Sequence, residues 1–230
     1  MRVEVWSDVV CPWCFIGKRR FEEALARFPG RADVSVVYRP FQLDPTAPPG
    51  VATPVLEVYR RKFGGTEPAQ QIIDHVTRAA AEEGLSFHLD RAVRANTMLA
   101  HRLLWLAEQR GVQAAVKERL LRGYFSEGRN IGDPDTLADL AADAGLDGAE
   151  VRTFLDSDAG ISEVGAEMRR AAEMGIAAVP TYVFDGRWAV PGAQDAEVFL
   201  RVLERVTEME SELDAAGERA AAEPGRRDTA

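Results

Sequence analysis

The spacing of apolar residues changes several times along the chain, and each change marks an element. Val3 and Val5 alternate with polar positions up to about Ser7, which is the period of a short strand. Beyond Cys11-Pro12-Trp13-Cys14 the period lengthens. Phe21, Ala24, Leu25 and Phe28 fall at i, i+3, i+4 and i+7, a helix that Pro29-Gly30 stops. Residues 34–41, rich in β-branched and aromatic types, predict a second strand. Pro45, Pro48, Pro49 and Gly50 then open a loop, and Thr53 followed by Pro54 reads as an N-cap and a first helical position. From there to about residue 158 the pattern is helical. Thr66 is a cap candidate for a helix reaching Gly84, and residues 96–110 place Leu99, Leu103, Leu106 and Ala107 on one face. Residues 112–126 predict another helix, and Asp133-Pro134 and Asp147 begin two more. Helix 161–174, stopped by Gly175, precedes strand 181–184, an Asp185-Gly186 hairpin turn and strand 188–190. A last amphipathic helix from Asp195 to about Glu210 turns Val198, Phe199, Val202 and Val206 inward.

Without the helical block, this order reads β-α-β, then α-β-β-α, which is the order of a thioredoxin fold. The expected class is therefore α/β: a thioredoxin fold with a large all-helical insertion between the second strand and the cis-proline hairpin. Residues 1–42 and 159–210 would form a discontinuous thioredoxin-like domain, and 43–158 the inserted helical domain. The segment 211–230 holds no aromatic residue and is expected to be a disordered C-terminal tail.

Charge and composition narrow the partners. With 37 acidic against 28 basic residues the net charge is −9, which argues against nucleic acid. Lys18-Arg19-Arg20 and Arg60-Arg61-Lys62 are too short to be basic patches. The N-terminus enters a strand pattern at once, without the apolar core of a signal peptide. No apolar stretch approaches the roughly 20 residues that span a bilayer. A cytoplasmic chain with no membrane partner is expected.

The chain has 2 cysteines, two residues apart. A cytoplasmic chain of this size needs no disulfide for stability, and so short a loop would gain little from one. The pair therefore points to chemistry. Cys11 falls where the first strand passes into the first helix, and free amides and the helix dipole at such a place favour a thiolate, the attacking species in disulfide exchange. Cys14 is one turn further on and faces the same way. Cys11 is the nucleophile candidate and Cys14 the resolving thiol. Pro12 suits the first helical turn, and Trp13 is placed to control access or stack on a partner. Half a zinc site is the competing reading, but no second cysteine pair exists, and His75, His88 and His101 lack ligand spacing. No metal is expected. Val179-Pro180 begins the strand after Gly175, where a thioredoxin fold sets a cis-proline opposite the cysteines; an ordinary trans proline at a strand start is the alternative.

Six segments resemble one family. They are residues 7–14, Arg39-Pro40-Phe41-Gln42-Leu43, the middle pair Asn96-Thr97 with Ala100-His101-Arg102 and 125–131, Ala178-Val179-Pro180-Thr181, and Gly192-Ala193-Gln194. Over about residues 1–209 the chain resembles the DsbA-like oxidoreductases of the FrnE type. The resemblance implies a thioredoxin fold with an inserted helical domain and thiol-disulfide exchange. It also implies kinship with kappa-class glutathione transferases and 2-hydroxychromene-2-carboxylate isomerases, which typically carry serine where this chain has Cys11. Asp8 is then a candidate for proton relay, or for capping the first helix. Phe41, Asn96, His101 and Gln194 are pocket candidates; Asn96 also reads as a helix cap, His101 as a satisfied helix histidine and Gln194 as part of a turn. The leading expectation is exchange with protein or small-molecule disulfides and thiols, with no tightly bound cofactor and with glutathione or another low-molecular-weight thiol as a candidate co-substrate. A glutathione-type isomerase or transferase acting on an aromatic or polyketide-like compound, and a redox-idle chaperone or binding module, are the alternatives. The long last helix makes a homodimer a candidate assembly.

Overall fold

The structure, a computed structural model, describes residues 1–222, with side chains followed to Leu213. Strand β1 (Arg2–Ser7) leads through a four-residue turn into α1 (Pro12–Arg27). After a short 3₁₀ turn comes β2 (Ser35–Pro40), parallel to β1. A two-residue strand β3 (Thr53–Pro54), α2 (Val55–Phe63) and α3 (Thr66–Glu82) follow, then β4 (Val93–Arg94), α4 (Met98–Gln109), α5 (Gln113–Phe125), α6 (Pro134–Asp143) and α7 (Gly148–Asp156). The chain returns through α8 (Ile161–Glu173), β5 (Thr181–Phe184), β6 (Trp188–Pro191) and α9 (Ala196–Ala222). The main sheet has the order β2-β1-β5-β6, with β5 antiparallel to β1 and β6 antiparallel to β5. This is a thioredoxin fold whose insertion follows β2.

Alternation along β1 builds two layers. Val3 and Val5 face Phe21 and Ala24 of α1, Phe28 just beyond its end, and Phe199, Leu203 and Val206 of α9. Trp6 faces the other way, onto Ala171 of α8 and Ile176. Glu4, on that same face, is 5% exposed and pairs with Arg39 and Arg170. Helix α1 also serves a second core. Phe15 and Ile16 join the apolar interior of the helical block, with Phe87, Leu103, Leu120, Leu121 and Phe125. The insertion is thus packed directly onto the helix that carries the cysteines. Gly17 permits this crowding on the sheet side, where a Cβ would lie 2.8 Å from the Tyr182 hydroxyl.

Several expected caps hold. Asp133 accepts from the Thr136 amide at 2.8 Å and Asp147 from the Glu150 amide at 2.9 Å. Asp185 and Gly186 both take positive φ, 47° and 69°, as a tight hairpin requires. Others differ. Thr53 and Pro54 stand one position ahead of their expected places, Pro54 being the N-cap of α2. They pair with Arg94 and Val93, and the Val55 amide continues that ladder to the Ala92 carbonyl at 2.9 Å. The helical block therefore carries one small ladder, and Pro54 precedes α2. Thr66 is the first residue of α3 rather than its cap, because Gly64 and Gly65, at φ 80° and 149°, turn the chain immediately before it. Helix α9 continues past Glu210 to Ala222, so the expected disorder of 211–230 gives way to helix over its first part; 223–230 lie outside the described residues.

An ion cluster ties α1 to α5. Lys18, buried, bridges Glu22 at 2.6 Å and Glu118 at 2.7 Å, and Arg19 pairs with both. Burial pushes the Glu118 carboxyl up, but hydrogen bonds and charge from Arg19 and Lys18 outweigh it and hold the group at about 2. Its folded value is thus below its ordinary 4.5, so its contribution is complete above that pH and lost as pH falls toward 2. Glu118→Gln is expected to cost about 1–3 kcal/mol at pH 7. The difference from the parent should shrink to nothing near pH 2, which urea midpoints measured across that range will show.

Candidate active site

The end of β1 sets the cysteines. Beyond Ser7 the chain turns, with the Cys11 amide donating to the Asp8 carbonyl at 3.3 Å. Cys11 is the N-cap of α1, at φ −85° and ψ 115°, and Pro12 takes the first helical position, where its missing N–H costs nothing. The Cys14 amide donates to the Cys11 carbonyl at 3.1 Å. Both thiols are free and buried, Cys11 at 4% exposure and Cys14 at 3%. Opposite them runs the segment before β5. The Val179–Pro180 peptide bond is cis, and the Cys11 thiol donates to the Val179 carbonyl at 3.7 Å. Thr181 fixes that segment from Oγ1 to the Ala178 carbonyl at 2.8 Å. Trp13 is half-buried, its ring 5.8 Å from that of the exposed His75 on α3.

The two thiols differ electrically. Burial pushes the Cys14 thiol well above its usual range, and the hydrogen bond and charge of Cys11 push it further. Lys117 and the Asp8 backbone amide act the other way. Cys14 thus keeps its proton at neutral pH.

Asp8 makes no side-chain cap on α1. Fully buried, it accepts from the Val9 and Leu43 amides, both at 2.8 Å, and its Oδ1 lies 3.2 Å from His101 Nε2. That ring nitrogen is also 3.0 Å from the Phe41 carbonyl. The group pins the chain after β2 to the turn that carries the cysteines. Asn96 works beside it as a local cap, with Oδ1 taking the Met98 amide at 2.9 Å and Nδ2 reaching the Ala47 carbonyl at 2.7 Å. Phe41 packs on the cluster of Trp6 and Val183. Gln194 turns away to the Pro191 carbonyl at 2.7 Å.

The four pocket candidates therefore do not share one pocket. The cleft beside the cysteines, about 350 Å³, is lined instead by Val10, Leu43, Asp44, Val55, Val58, Tyr59, Lys62, Arg94, Ala95 and Tyr124. Arg94 is held there by Asp44 at 2.6 Å. Burial, then the nearby Cys11, pushes the Tyr59 hydroxyl up. These wall residues carry no sequence signal that separates them from ordinary helix and loop positions. Lys117 does carry one. It falls between Val116 and Leu120 on the buried stripe of α5, where only apolar residues are expected.

A parallel β-α-β unit followed by a β-hairpin, with two free thiols at its first helix and a cis proline opposite them, defines a thioredoxin-fold protein. The family model described as the DSBA-like thioredoxin domain matches residues 2–204, and the chain belongs to that family. A crystal structure of a probable DsbA oxidoreductase from Streptomyces coelicolor is similar at 44% identity, covering 89% of each chain, with a TM-score of 0.84. The uncharacterized protein YwbO of Bacillus subtilis is 31% identical over 208 residues, covering 88% of this chain and 96% of that protein. The cytosolic disulfide reductase DsbM of Pseudomonas aeruginosa, also solved with GSH, shares the fold at 20% identity; the match covers 91% of this chain and 100% of that one, with a TM-score of 0.64. Among the described residues no helix is long and apolar enough to cross a membrane, and no group of three His, Cys, Asp or Glu side chains is placed to hold a metal ion.

Proposed function

We propose that the protein is a thiol-disulfide oxidoreductase. Cys11 attacks a disulfide and Cys14 resolves the mixed disulfide that results. The observation that carries this reading is the asymmetry of the pair. One thiol sits at the helix N-cap against the Val179 carbonyl, and the other, one turn on, has its proton held by burial. The Val179 segment offers main chain along which an extended peptide can lie. The cleft beside Val10 has room for a low-molecular-weight thiol such as glutathione as co-substrate, with no cofactor held permanently. A cytoplasmic site of action is part of this reading.

The test is equilibration of the protein in glutathione buffers, followed by thiol trapping and mass analysis. A reversible two-electron transition of the pair is expected. A midpoint near about −270 mV would mark a reductant and one near about −200 mV or above an oxidant or disulfide isomerase. A pair that never cycles overturns the reading.

A further inference from the structure

Two tyrosine hydroxyls in the cleft beside the cysteines have no partner. Tyr124 is 3% exposed and Tyr59 half-buried, and both line the cleft that Val10, the residue before Cys11, also lines. Neither hydroxyl makes a hydrogen bond among the described residues, yet neither oxygen is sealed among apolar atoms as the Tyr182 hydroxyl is. Both therefore open into the cleft. Burial pushes both groups up, so both keep their protons and can donate. A buried donor without a protein partner calls for another one. Two cations stand at the same cleft. Arg94 gives only Nε to Asp44, at 2.6 Å, and its two outer nitrogens make no hydrogen bond among the described residues. Lys62 has no carboxylate partner among the described residues, its ammonium lying 5.6 Å from the Phe63 ring. Asp44 is itself engaged, by Arg94 and by the Thr46 hydroxyl at 2.8 Å. The cleft thus sets two cations against one occupied carboxylate, in a chain whose net charge is −9. The rest of the wall, Val10, Leu43, Val55, Val58 and Ala95, is apolar.

We propose that this cleft selects low-molecular-weight thiols and disulfides that join an apolar body to one carboxylate, and that Tyr59, Tyr124, Lys62 and Arg94 receive the carboxylate. This rests on the exchange reading above and names its small-molecule substrate. The apolar wall takes the body out of water. The two hydroxyls donate to the carboxylate, and the outer nitrogens of Arg94 match its pair of oxygens. Glutathione suits this lining less well, because its second carboxylate, ammonium and amides would meet apolar wall without partners. Val10 precedes Cys11, so the reacting sulfur belongs at that end of the cleft. There the Cys11 thiolate attacks; the Cys11–ligand S–S bond forms, the ligand's own S–S bond breaks, and one thiolate leaves. Cys14 then gives its proton to water and attacks Cys11, the Cys11–Cys14 bond forms, and the second thiolate leaves. The cysteine pair is oxidised by two electrons and the ligand disulfide is reduced by two. All four receiving side chains come from the inserted helical block, which makes the insertion the part that chooses the small substrate.

The experiment compares two disulfides that differ only in charge: 2,2′-dithiodipyridine and 6,6′-dithiodinicotinate, which is the same ring pair carrying carboxylates. Reduced protein is mixed with each in stopped flow, and the released thiopyridone is followed by absorbance over a concentration series. Glutathione disulfide is run in parallel by acid quench and mass analysis. The parent chain should half-saturate with the dinicotinate at a concentration about tenfold below that for the neutral probe, and below that for glutathione disulfide. Tyr124→Phe and Tyr59→Phe should each raise the half-saturating dinicotinate concentration about tenfold, the loss of one hydrogen bond to a charged group, and change the limiting rate by less than about threefold. Lys62→Met, at an exposed position of α2, should raise it about threefold, an effect that about 0.5 M salt erases, and it serves if the tyrosine variants fail to fold. A general loosening of the cleft would move both probes alike, whereas loss of a carboxylate partner moves only the dinicotinate. Equal half-saturation by the two probes in the parent, earlier saturation by glutathione disulfide, or variants that shift both probes equally would overturn the proposal while leaving exchange intact. A reduced parent that releases thiopyridone from neither probe overturns both readings together.

Discussion

Cys11→Ser is expected to lower disulfide exchange by at least about a thousandfold, to the level of the buffer. The argument is chemical. A serine hydroxyl holds its proton far more tightly than a thiol and cannot form the S–S bond on which the mechanism depends. The Cys11 side chain meets the Val179 carbonyl at the N-cap of α1, whereas burial holds the proton on Cys14, so Cys14 is a poor substitute as the first attacker. Cys14→Ser should behave differently. The first attack survives and the reaction stalls, leaving substrate covalently attached to Cys11. Rates with a protein disulfide and with a low-molecular-weight one, together with recovery of that adduct, check both halves. The same two variants sort the competing functions. An isomerase using a bound thiol would tolerate loss of Cys14 with full turnover, and a chaperone would tolerate loss of both. Exchange retained in Cys11→Ser would sink the oxidoreductase reading.

The fold was legible where local chemistry and global packing agree. Alternation at Val3 and Val5, the 3.6-residue period at Phe21, Ala24 and Phe28, and the Asp185-Gly186 turn each have one physical solution, and the structure adopts it. The cysteine pair was legible for the same reason, since a strand-to-helix junction is a local feature. The misread elements are those decided from a distance. Thr53-Pro54 has the local form of a helix start, but the Ala92–Arg94 segment, some forty positions on, draws it into a ladder. Asp8 looked like a cap because a short acidic side chain before a helix usually is one. Its actual partners, the Leu43 amide and His101, come from parts of the chain that only the folded state brings near. The cleft walls were invisible because Tyr59, Arg94 and Tyr124 meet only once the insertion has folded back on the turn before Cys11. Lys117 stood in plain view as a cation inside an apolar stripe.

The largest stability effect is expected at Arg102, within a segment that sequence resemblance marked as a unit with His101. Arg102 is 2% exposed and has no carboxylate within reach; its guanidinium instead donates to the carbonyls of Phe154, Leu155, Ser157 and Ala159 at 2.6–3.2 Å. These are the groups that the end of α7 and the turn after it leave without helical partners. Two more contacts close the same corner. The guanidinium lies 5.2 Å from the Phe154 ring centre, and Phe154 stacks on Trp105 at 6.2 Å. Arg102→Met would keep much of the volume and remove every donor. Of the four acceptors only that of Leu155 belongs to a buried residue, and the Phe154 carbonyl keeps the Ser157 amide and hydroxyl, so the cost falls mainly on Leu155, at about 1–3 kcal/mol. A loss of about 1–3 kcal/mol follows, which for a chain of this size lowers the melting temperature by about 2–12 °C. Arg102→Lys should recover only part, because a single ammonium cannot span four acceptors set in a fork. The turn at 157–160 is where the chain leaves the helical block and re-enters the sheet unit, so this corner fixes how the insertion sits over the cysteines. The Arg102 variants should therefore lose cooperativity along with stability. Thermal unfolding followed by far-UV circular dichroism and by tryptophan fluorescence should coincide in the parent and separate in Arg102→Met, the Trp105 signal changing first. Coincident transitions with an unchanged midpoint would show that water replaces the guanidinium without cost and that the corner contributes nothing to holding the two units together.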